Sequence, residues 1–244
     1  MKLASTKGNA MRFFNGSHAA LAALSLMVAI PCWSQSDASH AVAGGGISFT
    51  GWTGKVDANA EKAGQTVNDA KFAREGKAFH VTTGPAVTYW NPANKVTGNY
   101  SVKATFRESK YMNLNNHPHP YGVMIAGNEM GTDKQSYLYC AAYGSGNFIV
   151  RGFGPEPFQM NGRHGEENAA VHKAAVPGEP VTQEISLSVK GNRVECAING
   201  TVVAGYDKPA VVAPGKLVST DGVYGLRFAH NTEVTVTGFE LTKE

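Results

Sequence analysis

The chain has 244 residues, of which 42% are hydrophobic and 17% are charged, and it contains 28 glycines and 11 prolines. This composition excludes collagen-like, coiled-coil and charge-rich disordered classes, which need periodic glycine, many Glu, Lys and Leu residues, or a high net charge. The formal net charge is +3, from 22 basic and 19 acidic residues. Whether this charge implies an anionic partner depends on where the basic residues lie.

The first 34 residues have the pattern of an export signal. They contain three basic residues and no acidic one, followed by an apolar run over residues 19–30 that ends at Pro31. A basic start, a short apolar run and small residues before the cleavage point are the parts of a Sec signal peptide. The sequence therefore predicts removal of residues 1–34, with cleavage after Ser34 or Ala38, and export to the periplasm or the extracellular space.

The exported chain is close to electrically neutral. Without residues 1–34 it keeps 19 basic and 19 acidic residues, and it has no cluster of Lys or Arg with interleaved aromatic residues. Nucleic-acid binding needs an excess of positive charge and a basic patch or motif, so the sequence argues against it. No later segment approaches the ~20 apolar residues of a membrane-spanning helix. We expect a flexible N-terminus over residues 35–46 and one domain over residues 47–244.

From Gly44 onward, short alternating stretches are separated by turn residues, which predicts strands rather than helices. The pairs Gly191-Asn192 and Asn199-Gly200 predict hairpin turns. Helical periodicity is confined to residues 58–73 and 166–173, and the Gly/Pro-rich stretch 152–180 predicts a functional or mobile loop. The pattern favours an antiparallel sandwich or barrel. Predicted strands include residues 100–107, 137–142, 185–190, 193–198, 223–229 and 234–241.

Two cysteines, Cys140 and Cys196, lie in predicted strands of the exported chain. A disulfide can persist after export, and two buried thiols behaving as small hydrophobes are the alternative. The sequence leaves both open.

Four stretches together resemble one superfamily. They are the opening Phe49-Thr50-Gly51-Trp52, the strand 99–107, the hairpin 190–200 that ends in Ile198-Asn199-Gly200, and the closing strands 222–228 and 234–241. Their order is similar to concanavalin-A-like jelly-roll domains, specifically the laminin-G-like and 3-keto-disaccharide-hydrolase-like domains of secreted bacterial proteins. The resemblance implies an all-β sandwich of two antiparallel sheets, with a curved face that in relatives receives glycans. Two motifs of enzymatic relatives are missing: the Phe-Asp-Gly near the start and the Trp-Asn that usually precedes the middle hairpin.

The stretch His117-Pro118-His119-Pro120 is the most unusual local feature. Proline after each histidine favours an extended backbone, and residues two apart in an extended segment point the same way. Two imidazoles on one side could begin a divalent-metal site, bond to sugar hydroxyls, or simply belong to a polar loop. No metal is assigned at this point. Candidates for a third ligand are Glu129, His164, His172 and His230.

Sugar binding needs flat apolar rings beside hydrogen-bonding groups, because a pyranose has apolar faces and a polar rim. The sequence supplies such a mixture, and we expect carbohydrate recognition on the curved face. No catalytic residue is named, because the Glu-x-Asp-x-x-Glu motif of laminarinase-type relatives is absent. The alternatives are a sugar-processing hydrolase of the 3-keto-glycoside type with a His-lined site, and a non-catalytic structural or adhesion domain. Candidate ligand-binding residues are Trp90, Asn116, His117, His119, Tyr121, Glu129, Arg151 and His230.

Overall fold

The structure, a computed structural model, describes residues 38–243. The predicted signal peptide, residues 1–34, lies outside the described residues. Between residues 38 and 243, no helix is both long enough and apolar enough to cross a membrane.

Nearly all regular structure in the described chain is β-strand. Helix is limited to α1 (Ala58–Lys62), α2 (Lys208–Val211) and a 3₁₀ turn at Val67–Asp69. The strands are β1 (Gly46–Ile47), β2 (Thr53–Val56), β3 (Lys71–Glu75), β4 (Ala78–Thr82), β5 (Val87–Val96), β6 (Tyr100–Glu108), β7 (Tyr121–Asn128), β8 (Ser136–Ala142), β9 (Asn147–Phe153), β10 (Pro157–Gln159), β11 (Glu166–Glu167), β12 (Val181–Lys190), β13 (Arg193–Ile198), β14 (Thr201–Asp207), β15 (Gly222–Phe228) and β16 (Glu233–Lys243).

The strands form two packed sheets. The first has the order β1-β3-β4-β16-β6-β12-β13-β14, and the second has the order β10-β9-β8-β7-β15-β5-β2, with β11 also pairing to β9. All pairings are antiparallel except the short one between β1 and β3. The predicted all-β jelly-roll sandwich is therefore confirmed.

The core lies between the sheets and follows from the period of two in the sequence. In β6, Tyr100, Val102, Ala104 and Phe106 are buried and alternate with more exposed residues. They join residues from the facing sheet in one apolar cluster. Burying each large apolar side chain stabilises the fold by roughly 1.5–3 kcal/mol, so this alternation fixes which side of β6 faces inward.

The hairpin between β13 and β14 forms as its turn residues predict. Asn199 and Gly200 have φ values of 49° and 81°, as a two-residue type I′ turn requires. The Asn199 side-chain oxygen also accepts a hydrogen bond from the backbone N–H of Glu184 at 2.8 Å. The turn is thereby fixed to the neighbouring strand β12.

A disulfide joins the two sheets. Cys140 on β8 and Cys196 on β13 are bonded, with their Cα atoms 5.9 Å apart. The sequence left open either a disulfide or two buried thiols, and the structure contains the disulfide.

Of the two helix predictions, one is wrong and the other is confirmed. Glu166 and Glu167 form β11 and pair with Phe148 and Asn147 of β9, because backbone pairing at the sheet edge outweighs a weak local helical pattern. The one or two helical turns expected within residues 58–73 are present as α1 and the 3₁₀ turn, and the chain becomes strand at Lys71.

Hydrogen bonds connect residues 38–46 and the connection 152–180 to the rest of the sandwich. The connection 152–180 contributes β10 and β11 to the second sheet. Near the N-terminus, the His40 N–H donates to Asn231 Oδ1 at 2.8 Å and the Val42 N–H donates to the Asp69 carbonyl at 3.2 Å. Residues 38–46 thus lie along the sandwich.

Candidate functional site

The outer face of the second sheet, the side turned away from the first sheet, carries a second apolar cluster. In β5 and β7, Tyr89 and Val123 belong to the core, whereas their neighbours Trp90 and Met124 belong to this separate cluster. Since successive strand residues point to opposite faces, the second cluster marks the outer face. Its buried members are Trp90, Met124, Tyr137, Tyr139, Ala141, Ile149 and Val223, with Met130, Tyr143 and Phe153 packed against them.

An ion pair is set into this apolar face. Arg227 of β15 donates from Nη1 and Nη2 to the two carboxylate oxygens of Asp57, each at 2.6 Å. Its guanidinium carbon lies 5.6 Å from the ring centre of Tyr139 and 5.5 Å from that of Phe153. Burial alone would lower the pKa of Arg227, but the Asp57 carboxylate reverses this and raises it above its ordinary value. Arg227 is therefore a fixed charge in the floor of this face.

One end of the outer face forms a pocket of about 310 Å³. We call it the histidine pocket. It combines aromatic rings, two arginines and three histidines, and none of the described residues that line it is an aspartate or a glutamate. Its lining residues are Ala86, His117, Pro118, His119, Pro120, Tyr139, Ala141, Tyr143, Ile149, Arg151, Arg227, Ala229 and His230.

Backbone contacts between two connections bring the histidines together. His117 and His119 lie in the connection between β6 and β7, and His230 lies in the turn between β15 and β16. The Ala229 N–H donates to the Pro120 carbonyl at 3.0 Å, which holds the two connections side by side. The three imidazoles offer one nitrogen each within 4.8 Å of one another.

Hydrogen bonds orient the two rings of the His-Pro-His-Pro segment. His119 Nδ1 lies 2.5 Å from the His230 carbonyl oxygen, and because a carbonyl only accepts, Nδ1 carries the proton. Asn115 Nδ2 donates to the Asn231 carbonyl at 2.5 Å and also lies 2.9 Å from His119 Nδ1. The other ring nitrogen of His119, Nε2, faces His117.

His117 is oriented in the same manner by its neighbour. Its Nδ1 lies 2.8 Å from Asn116 Oδ1, an acceptor, so Nδ1 carries the proton here as well. The Nε2 atoms of His117 and His119 face each other at 2.8 Å. The His119 ring also stacks on His230, with centroids 4.0 Å apart.

Arg151 and Tyr143 form the wall opposite the histidines. Arg151 Nη2 donates to the carbonyl of Arg163, in the connection 152–180. Its Nε is shielded from solvent and has no hydrogen-bond partner within residues 38–243. Burial raises the pKa of the half-buried Tyr143, and the nearby Arg151 partly offsets the rise. The Tyr143 hydroxyl is therefore a neutral group able to donate and accept.

A second, larger pocket of about 840 Å³ lies at the other end of the outer face. We call it the tryptophan pocket. Trp90 lines it but is only 4% exposed, and Glu129 lies at its rim. Its lining residues are Thr53, Gly54, Lys55, Val56, Glu61, Gln65, Thr66, Val67, Trp90, Pro92, Lys95, Val96, Thr97, Gly127, Asn128, Glu129, Met130, Gly131, Gly222 and Val223.

The eight candidate ligand-binding residues therefore fall into three places. Trp90 and Glu129 belong to the tryptophan pocket. Tyr121 lies in the core, fully buried and stacked on Phe106 with centroids 5.5 Å apart, so a ligand on the outer face does not reach it. The other five meet at the histidine pocket: Asn116, through its bond to His117, and His117, His119, Arg151 and His230.

Of the four candidates for a third histidine-site ligand, only His230 joins the group that the described residues form. His172 lies elsewhere, with Nδ1 bonded to the Thr182 carbonyl at 2.8 Å. The exposed His164 and the rim residue Glu129 are not part of the group.

Sequence reasoning missed Tyr139 and Arg227. The signal was present in β8, where Tyr137-Leu138-Tyr139-Cys140 is apolar on both sides. Such a run is typical of a strand buried on both faces, and it indicates that the outer face of β8 is covered. Arg227 lies between two apolar residues, Leu226 and Phe228. In a strand its side chain therefore points to the opposite side from theirs, which suggested only that its charge faces solvent.

No protein-family profile matches the sequence, and no curated protein sequence matches it. Solved structures do match the fold. The carbohydrate binding module CBM66 from Bacillus subtilis aligns with a TM-score of 0.51 and 8% identity, over 81% of this chain and 99% of that one. A Bacillus subtilis protein of unknown function with a galectin-like fold aligns with a TM-score of 0.51 and 11% identity, over 79% and 89% of the two chains. These likenesses define the class of fold, a galectin-like β-sandwich.

Proposed function

We propose that this protein is an exported carbohydrate-recognition domain that binds its glycan in the histidine pocket. The observation that carries the proposal is the make-up of that pocket. Tyr139 and Tyr143 supply aromatic surface for the apolar face of a sugar, and Arg151 and the histidines supply hydrogen-bonding groups for its hydroxyls. A volume of about 310 Å³ lies within the range of small-ligand sites.

The fold supports the same function. One of the solved structures with this fold is a carbohydrate binding module, and sandwiches of this class can present ligands on a sheet face. In this protein, the outer face of the second sheet has a pocket lined by polar and aromatic side chains. The fold alone does not name a function, so the argument depends on the pocket.

The pocket favours recognition over hydrolysis by two carboxyl groups. Most glycoside hydrolases place a pair of Asp or Glu side chains about 5–10 Å apart around the glycosidic bond. No described residue lining the histidine pocket is acidic. Asp57, which contacts the lining residue Arg227, is engaged by it on both carboxylate oxygens.

Export is part of the proposal. The N-terminal pattern of residues 1–34 is one support. The bond between Cys140 and Cys196 is another, because structural disulfides persist mainly in the periplasm and outside the cell.

Affinity electrophoresis in native gels that contain single polysaccharides tests the proposal. The panel comprises β-glucan, mannan, xylan, pectin and chitosan. We expect retardation by at least one of them, and loss of retardation, about tenfold or more in affinity, in Tyr143→Ala and Arg151→Ala. Arg193→Ala is the matched control, since Arg193 pairs with Asp207 on the first sheet, and it should bind as the wild type does.

Two results would contradict the proposal. Retardation that is equal in the wild type and in both pocket variants would place the ligand elsewhere, and Trp90→Phe would then test the tryptophan pocket. No retardation by any polysaccharide, together with no turnover of 3-keto-glycosides, would favour a structural or adhesion domain.

A further inference from the structure

We infer that His117, His119 and His230 form a binding site for a divalent transition-metal ion at the mouth of the histidine pocket. The site goes beyond sugar recognition and stands independently of it. Imidazole nitrogens favour zinc, copper, nickel and iron over the harder calcium and magnesium ions. Zinc is the probe of choice because three histidines with an open position are one of its common ligand sets.

The first argument is the direction of the donor atoms. On both His117 and His119 the Nδ1 atom faces an oxygen acceptor, Asn116 Oδ1 in one case and the His230 carbonyl in the other. Metal-binding histidines typically donate their second ring N–H to such an oxygen, which fixes the tautomer and turns the other nitrogen to the ion. On both rings, this arrangement turns Nε2 toward the other histidine.

The second argument is the geometry of that contact. The two Nε2 atoms lie 2.8 Å apart, so one cation placed between them can contact both. At Zn–N bond lengths of about 2.0–2.1 Å, tetrahedral ligand nitrogens are about 3.4 Å apart, so the rings need to separate by only about half an ångström.

The third argument is the support around the ligands. His119 is 9% exposed and is positioned by the His230 carbonyl, and the contact from Ala229 to Pro120 holds both connections in place. His230 offers a ring nitrogen within 4.8 Å of those of His117 and His119. The site therefore combines two ligands from one extended segment with one from an adjacent turn.

The open positions of such an ion face the histidine pocket. The three imidazoles are neutral ligands, so the bound ion keeps its double positive charge and attracts oxygen ligands. Water, a sugar hydroxyl or a sugar carboxylate supplies that oxygen. The pocket lining itself, which has no acidic side chain among its described residues, does not compete for the ion.

The test uses protein without a polyhistidine tag, stripped with a chelator, dialysed and titrated with ZnCl₂ by isothermal calorimetry at neutral pH. We expect one ion per chain. His117→Ala and His230→Ala should each weaken binding at least tenfold, and His164→Ala, an exposed histidine of the connection 152–180, should bind as the wild type does. Titration with Co²⁺ should give visible absorption bands in the wild type that are lost in His117→Ala.

The exposed position of His117 makes its removal harmless to the core, so equal thermal melts of wild type and His117→Ala in EDTA are expected. Absence of stoichiometric Zn²⁺ binding by the wild type would overturn the inference. Zn²⁺ binding of equal strength in His117→Ala, His230→Ala and the wild type would also overturn it. No glycan is present in these titrations, so their outcome is separate from that of the polysaccharide gels.

Discussion

The two faces of the second sheet are built by the same strands and differ in what they bury. The inner face meets the first sheet through apolar side chains such as Leu138 and Val150 and through the disulfide at Cys140. The outer face is also largely buried, yet Arg227 and Arg151 interrupt its aromatic cluster. Buried charges are not needed to fold a sandwich and are costly to place. The comparison therefore indicates that the inner face specifies the fold, and the buried charges of the outer face support the proposal that a ligand binds there.

The largest expected effect concerns the inner face. Residues 140 and 196 are separated by 56 positions, and closing a loop of that length limits the unfolded chain, with a stabilisation of about 4 kcal/mol in the chain-entropy description. The Cys140→Ala/Cys196→Ala double variant should lose roughly that much free energy of unfolding in urea. The reduced wild type should behave similarly. A loss below about 1 kcal/mol would show that the inner face does not depend on this bond.

The next effect concerns the outer face. Asp57→Ala leaves the guanidinium of Arg227 buried without its two hydrogen-bonded oxygens, and breaking such a pair costs roughly 3 kcal/mol, somewhat less where one partner is partly exposed. The exposed pair of Arg193 and Asp207 is the control, because Asp207→Ala should change stability by less than about 1 kcal/mol. Equal losses in the two variants would mean that the outer face is no more organised than the surface.

The same comparison shows how much of the molecule the sequence predicted. Strands with one apolar side, such as β6 and β13, were predicted nearly to the residue, since alternation states which side is buried. The turn at Asn199-Gly200 was predicted because its two residues tolerate positive φ. Short edge strands such as β11 were not, because they depend on the neighbouring strand β9 rather than on their own pattern.

The candidate site was predicted only where local geometry sufficed. Proline after His117 and after His119 was enough to expect the two rings on one side. His230 was one of four candidates, because its approach depends on a long-range contact from Ala229 to Pro120. Tyr121 was misplaced because β7 is apolar on both sides, so that alternation does not tell its inner residues from its outer ones.

Glu108 is the last residue of β6 in the first sheet, and it precedes the connection that carries His117 and His119. The Met112 N–H donates to Oε1 of its carboxyl at 3.0 Å. Burial raises the pKa of Glu108 from 4.5 to about 7, and the contacts with Met112 and the Tyr121 hydroxyl only partly offset the rise. Glu108 is therefore protonated in the fold at pH values where the unfolded chain has already ionised.

The smallest effect, on the pH dependence of stability, follows from Glu108. Below pH 4.5 the carboxyl is protonated in both states and carries no penalty. Between pH 4.5 and about 7 only the unfolded chain loses the proton, so stability falls as pH rises, by roughly 2–3 kcal/mol, and above that range the loss is constant. Glu108→Gln should remove this slope and be the more stable form at pH 8. Urea unfolding at pH 4.5, 6 and 8 measures it, with Glu195→Gln on β13 as the control. A Glu108→Gln profile parallel to the wild type would show that this carboxyl is already ionised in the fold.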